Sequence, residues 1–205
     1  MNPIQFLILI TFFNVFRLRF NNLINLLLLL ILITSFLTEF FASILFYFKI
    51  NLNILYSLSF IVHNVLWLML LSNLVMNRKK SIIITLLYLS LCLCDFLLLK
   101  GKFTLNYNFF IYGSILYLIL FIFSSIKNLK NENLFFFQSN EFILISSPII
   151  FFVGLSLIFS FKSNSLNSII IYKDFNLYEL FIYFVNIIYY SLINLYIYRE
   201  RKLND

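Results

Sequence analysis

The chain has 205 residues, of which 62% are hydrophobic and only 11% charged, with a mean hydropathy of +0.98. Soluble domains carry about 45–50% apolar and about 25% charged residues, so this composition excludes a water-soluble globule. The formal charge of +7 comes from short basic clusters between long apolar runs. That pattern orients membrane proteins and speaks against a nucleic-acid partner.

In chain order the apolar runs are 3–16, 23–48, 54–76, 81–99, 105–126, 141–160 and 177–198. At about 20 residues per span, they predict an all-α polytopic bundle of about seven spans, with residues 1–205 forming a single integral membrane domain. The first run is short. It crosses the bilayer only if Arg17 and Arg19 snorkel, and otherwise lies at the interface and leaves six spans. Its segment lacks a leading positive charge and a small-residue cleavage site, so it reads as a retained helix rather than a signal peptide. The runs are continuous rather than alternating, which disfavours a β-barrel. Phe, Tyr, Ile, Asn and Lys all have AT-rich codons, so their abundance reflects base composition, and single Phe or Asn residues carry less functional weight than usual.

The loops alternate in charge. One side holds ten cationic residues (Arg17, Arg19, Arg78, Lys79, Lys80, Lys127, Lys130, Arg199, Arg201 and Lys202) and the other five (Lys49, Lys100, Lys102, Lys162 and Lys173). The positive-inside rule then places the amino terminus outside and the carboxyl terminus in the cytoplasm. Aromatic residues such as Phe46, Tyr47, Phe135 and Tyr198 flank the runs, as interfacial belts do.

Three runs carry polar or small residues at steps of three and four, which keeps each set on one helix face. They are Ser35, Thr38, Glu39, Ala42 and Ser43 in the second, then Ser81, Thr85, Tyr88, Cys92 and Asp95 in the fourth. The seventh has Glu179, Tyr183, Asn186, Tyr190 and Asn194. Such faces turn toward other helices, because lipid offers no hydrogen bonds. Pro148 is expected to kink the sixth run and free a backbone carbonyl.

Ionisable groups within apolar runs are site candidates by default. Glu39 and His63 each lie twelve positions from Asn51, at the turn between runs two and three. In an antiparallel hairpin both then sit about 18 Å below that turn, where a carboxylate–imidazole hydrogen bond is feasible. Asn64 and Trp67 follow on the same helix. Asp95 and Glu179 fall toward the same side of the membrane, and Asn186 lies deeper on the last stripe. Together Glu39, His63, Asn64, Asp95, Glu179 and Asn186 outline a polar pocket facing outside. The competing reading is structural: Glu39–His63 a bundle-stabilising pair, with Asp95 and Glu179 merely reaching the interface.

Catalytic signatures are missing from the sequence. A single histidine excludes multi-histidine zinc sites and offers only one axial haem ligand. Cys92 and Cys94, two apart on a helix, face opposite sides. There is no nucleophile elbow, phosphate-binding glycine loop or dinucleotide fingerprint. No cofactor, metal or catalytic residue is expected.

The layout resembles a group of small seven-span membrane proteins of Bacteroidetes to which no activity is assigned. The resemblance rests on the short first span, Thr38-Glu39-Phe40, and the Asn53 to Tyr56 segment entering the third span. It extends to Asn186-Ile187-Ile188-Tyr189-Tyr190 followed by the basic end Arg199-Glu200-Arg201-Lys202. It implies a bacterial inner membrane and no chemistry. The composition also resembles hydrophobic respiratory-chain subunits of AT-rich organellar genomes, which would place the chain in an organellar inner membrane, though three glycines in total fit that group poorly. The expected function is binding or interaction, as a receptor-like protein or accessory subunit. Its expected partners are the lipid bilayer and a membrane or signalling protein. A core subunit of a membrane complex with a proton path, and a lipid-modifying enzyme, are the alternatives.

Overall fold

The computed structural model describes residues 3–76, 78–98, 106–161, 169–172 and 175–204. The seven apolar runs are helices: α1 (Pro3–Val15), α2 (Leu23–Tyr47), α3 (Asn53–Val75), α4 (Arg78–Leu98), α5 (Tyr107–Lys130), α7 (Asn140–Phe161) and α8 (Leu177–Asn204). A one-turn helix, α6 (Leu134–Gln138), precedes α7. A minimal antiparallel ribbon of β1 (Ile170–Tyr172) and β2 (Phe175–Asn176) precedes α8. Six helices are long and apolar enough to cross a membrane, and α1, with 13 residues, is not among them. At 1.5 Å per residue α1 covers about 20 Å of a hydrocarbon core about 30 Å thick. The chain is thus a multi-pass membrane protein. The run ends expected at Leu99 and Leu105, and Lys100, Lys102, Lys162 and Lys173, lie outside the described residues.

Side-chain caps set the helix starts, because the first amides of a helix lack intrahelical acceptors. Asn22 Oδ1 accepts from Ile24 N, Asn106 Oδ1 from Asn108 N, and Ser139 Oγ from Phe142 N. Asn176 Oδ1 accepts from Glu179 N. Two helix ends turn through non-glycine residues with φ near 55°, Lys49 after α2 and Glu132 after α5. There the following amide reaches back five residues, Ile50 N to Leu45 O and Asn133 N to Asn128 O.

Packing contacts close six helices into a ring in the order α1, α2, α3, α5, α7, α8 and back to α1. Helix α4 lies outside it, against α3 and α5. The half of the ring around the ends of α1 and α8 and the start of α2 is filled by apolar side chains such as Leu28, Ile31, Leu71, Ile145, Ile193 and Ile197, all buried. An aromatic layer caps this core. Trp67 meets Tyr117 and Tyr189 edge-on, at 6.2 and 6.1 Å between ring centroids, and Tyr117 meets Phe152 at 5.0 Å. Outward faces carry exposed Leu, Ile and Phe, with Phe46, Tyr47 and Phe135 more than three-quarters exposed at helix ends. That outer surface suits lipid contact.

Gly113 and Gly154 each stand where a neighbouring helix leaves no room for a Cβ. A Cβ on Gly113 of α5 would lie 2.3 Å from Asn64 Cγ of α3, and one on Gly154 of α7 would lie 2.5 Å from Val185 Cγ2 of α8. Small residues at such crossings let backbones come together where no hydrophobic force drives them. Pro148 removes the amide that would bond Leu144 O, and the adjacent Ser147 Oγ donates to that carbonyl instead, at 2.8 Å. Tyr117 Oη donates to the next carbonyl, Ile145 O, at 2.6 Å, tying α5 to the proline turn.

Candidate binding site

Above the aromatic layer the ring surrounds a partly open cavity of about 370 Å³, lined by all six ring helices. It runs from Tyr107 and Tyr178, at the first turns of α5 and α8, down to His63 and Tyr190. His63 is ten residues along α3 from Asn53, so the cavity reaches about 15 Å into the bundle.

Its walls differ in chemistry. The α2 side presents Ser35, Thr38 and Glu39, with Ser59 of α3 beside them. Thr38 Oγ1 donates to Ser59 Oγ at 2.9 Å, joining the two helices. Opposite, α3, α5 and α7 contribute an aromatic cluster. Phe110 and Phe159 stand 5.3 Å apart, Phe60 meets both at 5.3 and 5.7 Å, and Tyr107 lies 4.6 Å from Phe159. Ile4 and Ile8 of α1 and Ile182 of α8 complete the apolar lining.

Glu39 and His63 line the same cavity, but the hydrogen bond expected between them is not made. Glu39 Oε2 instead accepts from Gln5 Nε2 of α1 at 3.2 Å, and Gln5 also donates to Ser43 Oγ. His63 Nε2 pairs with Tyr189 Oη of α8 at 3.3 Å. Tyr189 Oη also accepts from Trp67 Nε1 at 3.1 Å and stacks on Phe151 at 4.5 Å. His63, Tyr189 and Trp67 therefore form a continuous polar chain through the cavity floor.

The other candidate residues divide. Asn186 is buried and lines the cavity, with its Nδ2 donating to Ile182 O. Asn64 does not line it. Its side chain points away, toward α4 and α5, where Nδ2 donates to Tyr88 Oη and Phe109 O, while Oδ1 has no partner among the described residues. Asp95 also lies elsewhere, because α4 is outside the ring. Its buried carboxylate accepts from Asn106 Nδ2, Asn108 Nδ2 and Tyr112 Oη, fastening α4 to the start of α5. Glu179 sits in the first turn of α8, where a negative charge complements the helix dipole, and it does not line the cavity. The cavity thus holds Glu39, His63 and Asn186 of the six.

Sequence reasoning missed Gln5, Tyr189 and the aromatic wall as parts of this site. Among the described residues, no group of three or more His, Cys, Asp or Glu side chains is placed to hold a metal ion. Cys92 is buried and Cys94 exposed, on opposite faces of α4.

The fold and cavity define a multi-pass helical membrane protein with a partly open cavity between its ring helices. Comparison of the chain with protein-family models, curated proteins and solved structures found no match.

Proposed function

We propose that this is a membrane binding protein, receptor-like or accessory to a partner, whose internal cavity takes a small ligand. The observation that carries the reading is the cavity itself. Its volume of about 370 Å³ falls within the range of about 300–1,000 Å³ typical of small-molecule sites. Its lining is mainly apolar and aromatic with a few converging polar groups, the composition such sites share. An intramembrane carboxylate and a buried imidazole facing that space are costly to keep, which favours a use for them.

In this reading α1 is a seventh, short crossing wedged between α2 and α8. The cavity end of the bundle faces outside, since ten of the fifteen cationic residues fall in loops at the other end. The bacterial inner membrane is the proposed location. The His63–Tyr189–Trp67 chain would report occupancy of the cavity to the tightly packed half below it.

Two measurements test the proposal. Extracted in mild detergent and run on a native gel, the protein should migrate as monomer or dimer if it is receptor-like, whereas co-migration with stoichiometric partners would rule out that form and leave the accessory one. Native mass spectrometry should show a retained small molecule that a cavity-filling Ser59→Phe variant loses. Equal retention by both proteins would place the bound molecule elsewhere.

A further inference from the structure

The chemistry of the cavity walls narrows the ligand further, and the inference rests on the binding reading above. Eight of the eighteen lining residues are Phe or Tyr, against 20% aromatic residues in the whole chain. Base composition raises aromatic content everywhere and does not concentrate it in one chamber. Aromatic ring faces carry negative potential and attract cations, more strongly where water is excluded. The one carboxylate in the lining, Glu39, can carry a negative charge, and among the described residues no lysine or arginine lines the cavity. Among the described residues, Glu39 receives one side-chain hydrogen bond on its carboxylate, from the neutral Gln5. A carboxylate at that depth gains most from a cation, and none of the described residues supplies one there. The protein carries a formal charge of +7, and ten of its fifteen cationic residues fall at the end of the bundle away from this cavity.

We propose that the cavity takes a monovalent organic cation, its ammonium group against Glu39 and its apolar part on Phe60, Phe110 and Phe159. Ser35, Thr38 and Ser59 line the same cavity and offer hydroxyl oxygens to any N–H the head group carries. Ile4, Ile8 and Ile182 enclose the remainder. An anion is disfavoured by the same groups. A neutral lipid tail would use the aromatic wall and leave Glu39 unanswered.

Trp67 is the sole tryptophan and lies two hydrogen bonds, through Tyr189, beneath His63. Its emission therefore reads the cavity floor. The test titrates the whole protein in lipid nanodiscs with benzyltrimethylammonium and with neopentylbenzene, its neutral carbon analogue. The cation should shift Trp67 emission saturably, and bind about tenfold or more tightly than the neutral analogue. Glu39→Gln should weaken the cation about tenfold and leave the neutral analogue unchanged. Because the comparison of the two probes uses the native protein, it stands even where the variant fails to fold. Saturable binding of both probes within about threefold overturns the cation assignment and leaves the cavity as a binding site. No response of Trp67 to either probe overturns the assignment and the binding reading together.

Discussion

Gly113 lets α5 lie against α3 at the level of Asn64, and a methyl group placed there measures how firmly that crossing is held. A Cβ at position 113 would sit 2.3 Å from Asn64 Cγ, 2.5 Å from Nδ2 and 2.7 Å from Cβ. Carbon atoms meet comfortably at about 3.5–4.0 Å, so the carboxamide or the helix must retreat by more than an ångström. Asn64 has little room, being fully buried and bonded to Tyr88 Oη and Phe109 O. Overpacking costs about 1–3 kcal/mol, and disturbing the carboxamide's bonds adds about 0.6–1.7 kcal/mol on the scale seen between membrane helices. Alanine returns about 1 kcal/mol of helix propensity. Gly113→Ala should therefore destabilise the bundle by about 0.6–3.7 kcal/mol. The assay is reversible unfolding in mixed micelles, followed by Trp67 emission. Asn64→Gly removes the obstructing side chain, so the Asn64→Gly/Gly113→Ala protein should be more stable than additivity allows by about 1 kcal/mol or more. A Gly113→Ala protein within about 0.5 kcal/mol of native, or strictly additive variants, would refute the reasoning.

Four further outcomes follow from the same geometry. Tyr189→Phe leaves the buried Trp67 Nε1 without its acceptor; about 1 kcal/mol of stability should be lost and Trp67 emission should move to the blue, and an unchanged spectrum would contradict the bond. Ser147→Ala should cost about 1 kcal/mol in the native protein and nearly nothing beside Pro148→Ala, where the restored amide serves Leu144 O; equal costs in both backgrounds would show that Ser147 does not compensate for the proline. Asn194→Ala removes the partners of Asn14 and Thr11, so an Ile8→Cys probe on α1 should react with a thiol reagent about tenfold faster in that background, and an unchanged rate would show α1 held by other means. In intact cells Asn51→Cys should be labelled by an impermeant reagent and Asn131→Cys should not; the reverse pattern would invert the proposed orientation.

Helix positions and inward faces were readable because the helical period is fixed by geometry. On α4, Ser81, Tyr88, Cys92 and Asp95 are buried while Ile83, Leu86, Leu93 and Leu97 are exposed, as a single stripe at steps of three, four and seven requires. Depth was readable for the same reason. A constant rise per residue brought Glu39 and His63 to one cavity from their equal distances to Asn51. Rotation about the bundle was not, because a side chain's partner depends on the order of helices around the ring. Gln5 and Tyr189 claim the two groups from 34 and 126 residues away. Asp95 shows the same gap: its helix stands outside the ring, so its neighbours are the asparagines of the next helix start rather than the cavity. One signal went unused. In a chain with only three glycines, two lie within apolar runs, and both mark a helix crossing. The proline defect was foreseen, and an adjacent serine was a natural compensator, but the reach of Tyr117 from another helix was not.

The clasp between α1 and α8 sets a timetable for the protein's birth. Thr11 and Asn14 meet Asn194 across 183 and 180 residues of chain. At about 5–20 residues per second, α1 waits about 10–40 s in the membrane before the helix that satisfies it has been made. Until then its amides and hydroxyls need a temporary host, whether lipid head groups, an insertion chaperone or the emerging α2 through Gln5 and Glu39. The chamber has no existence during that interval, since α1 and α8 are two of its walls. Occupancy is therefore a property only of finished molecules, and a ligand present as α8 arrives would favour closure of the ring and so act on the yield of folded protein as well as on its state.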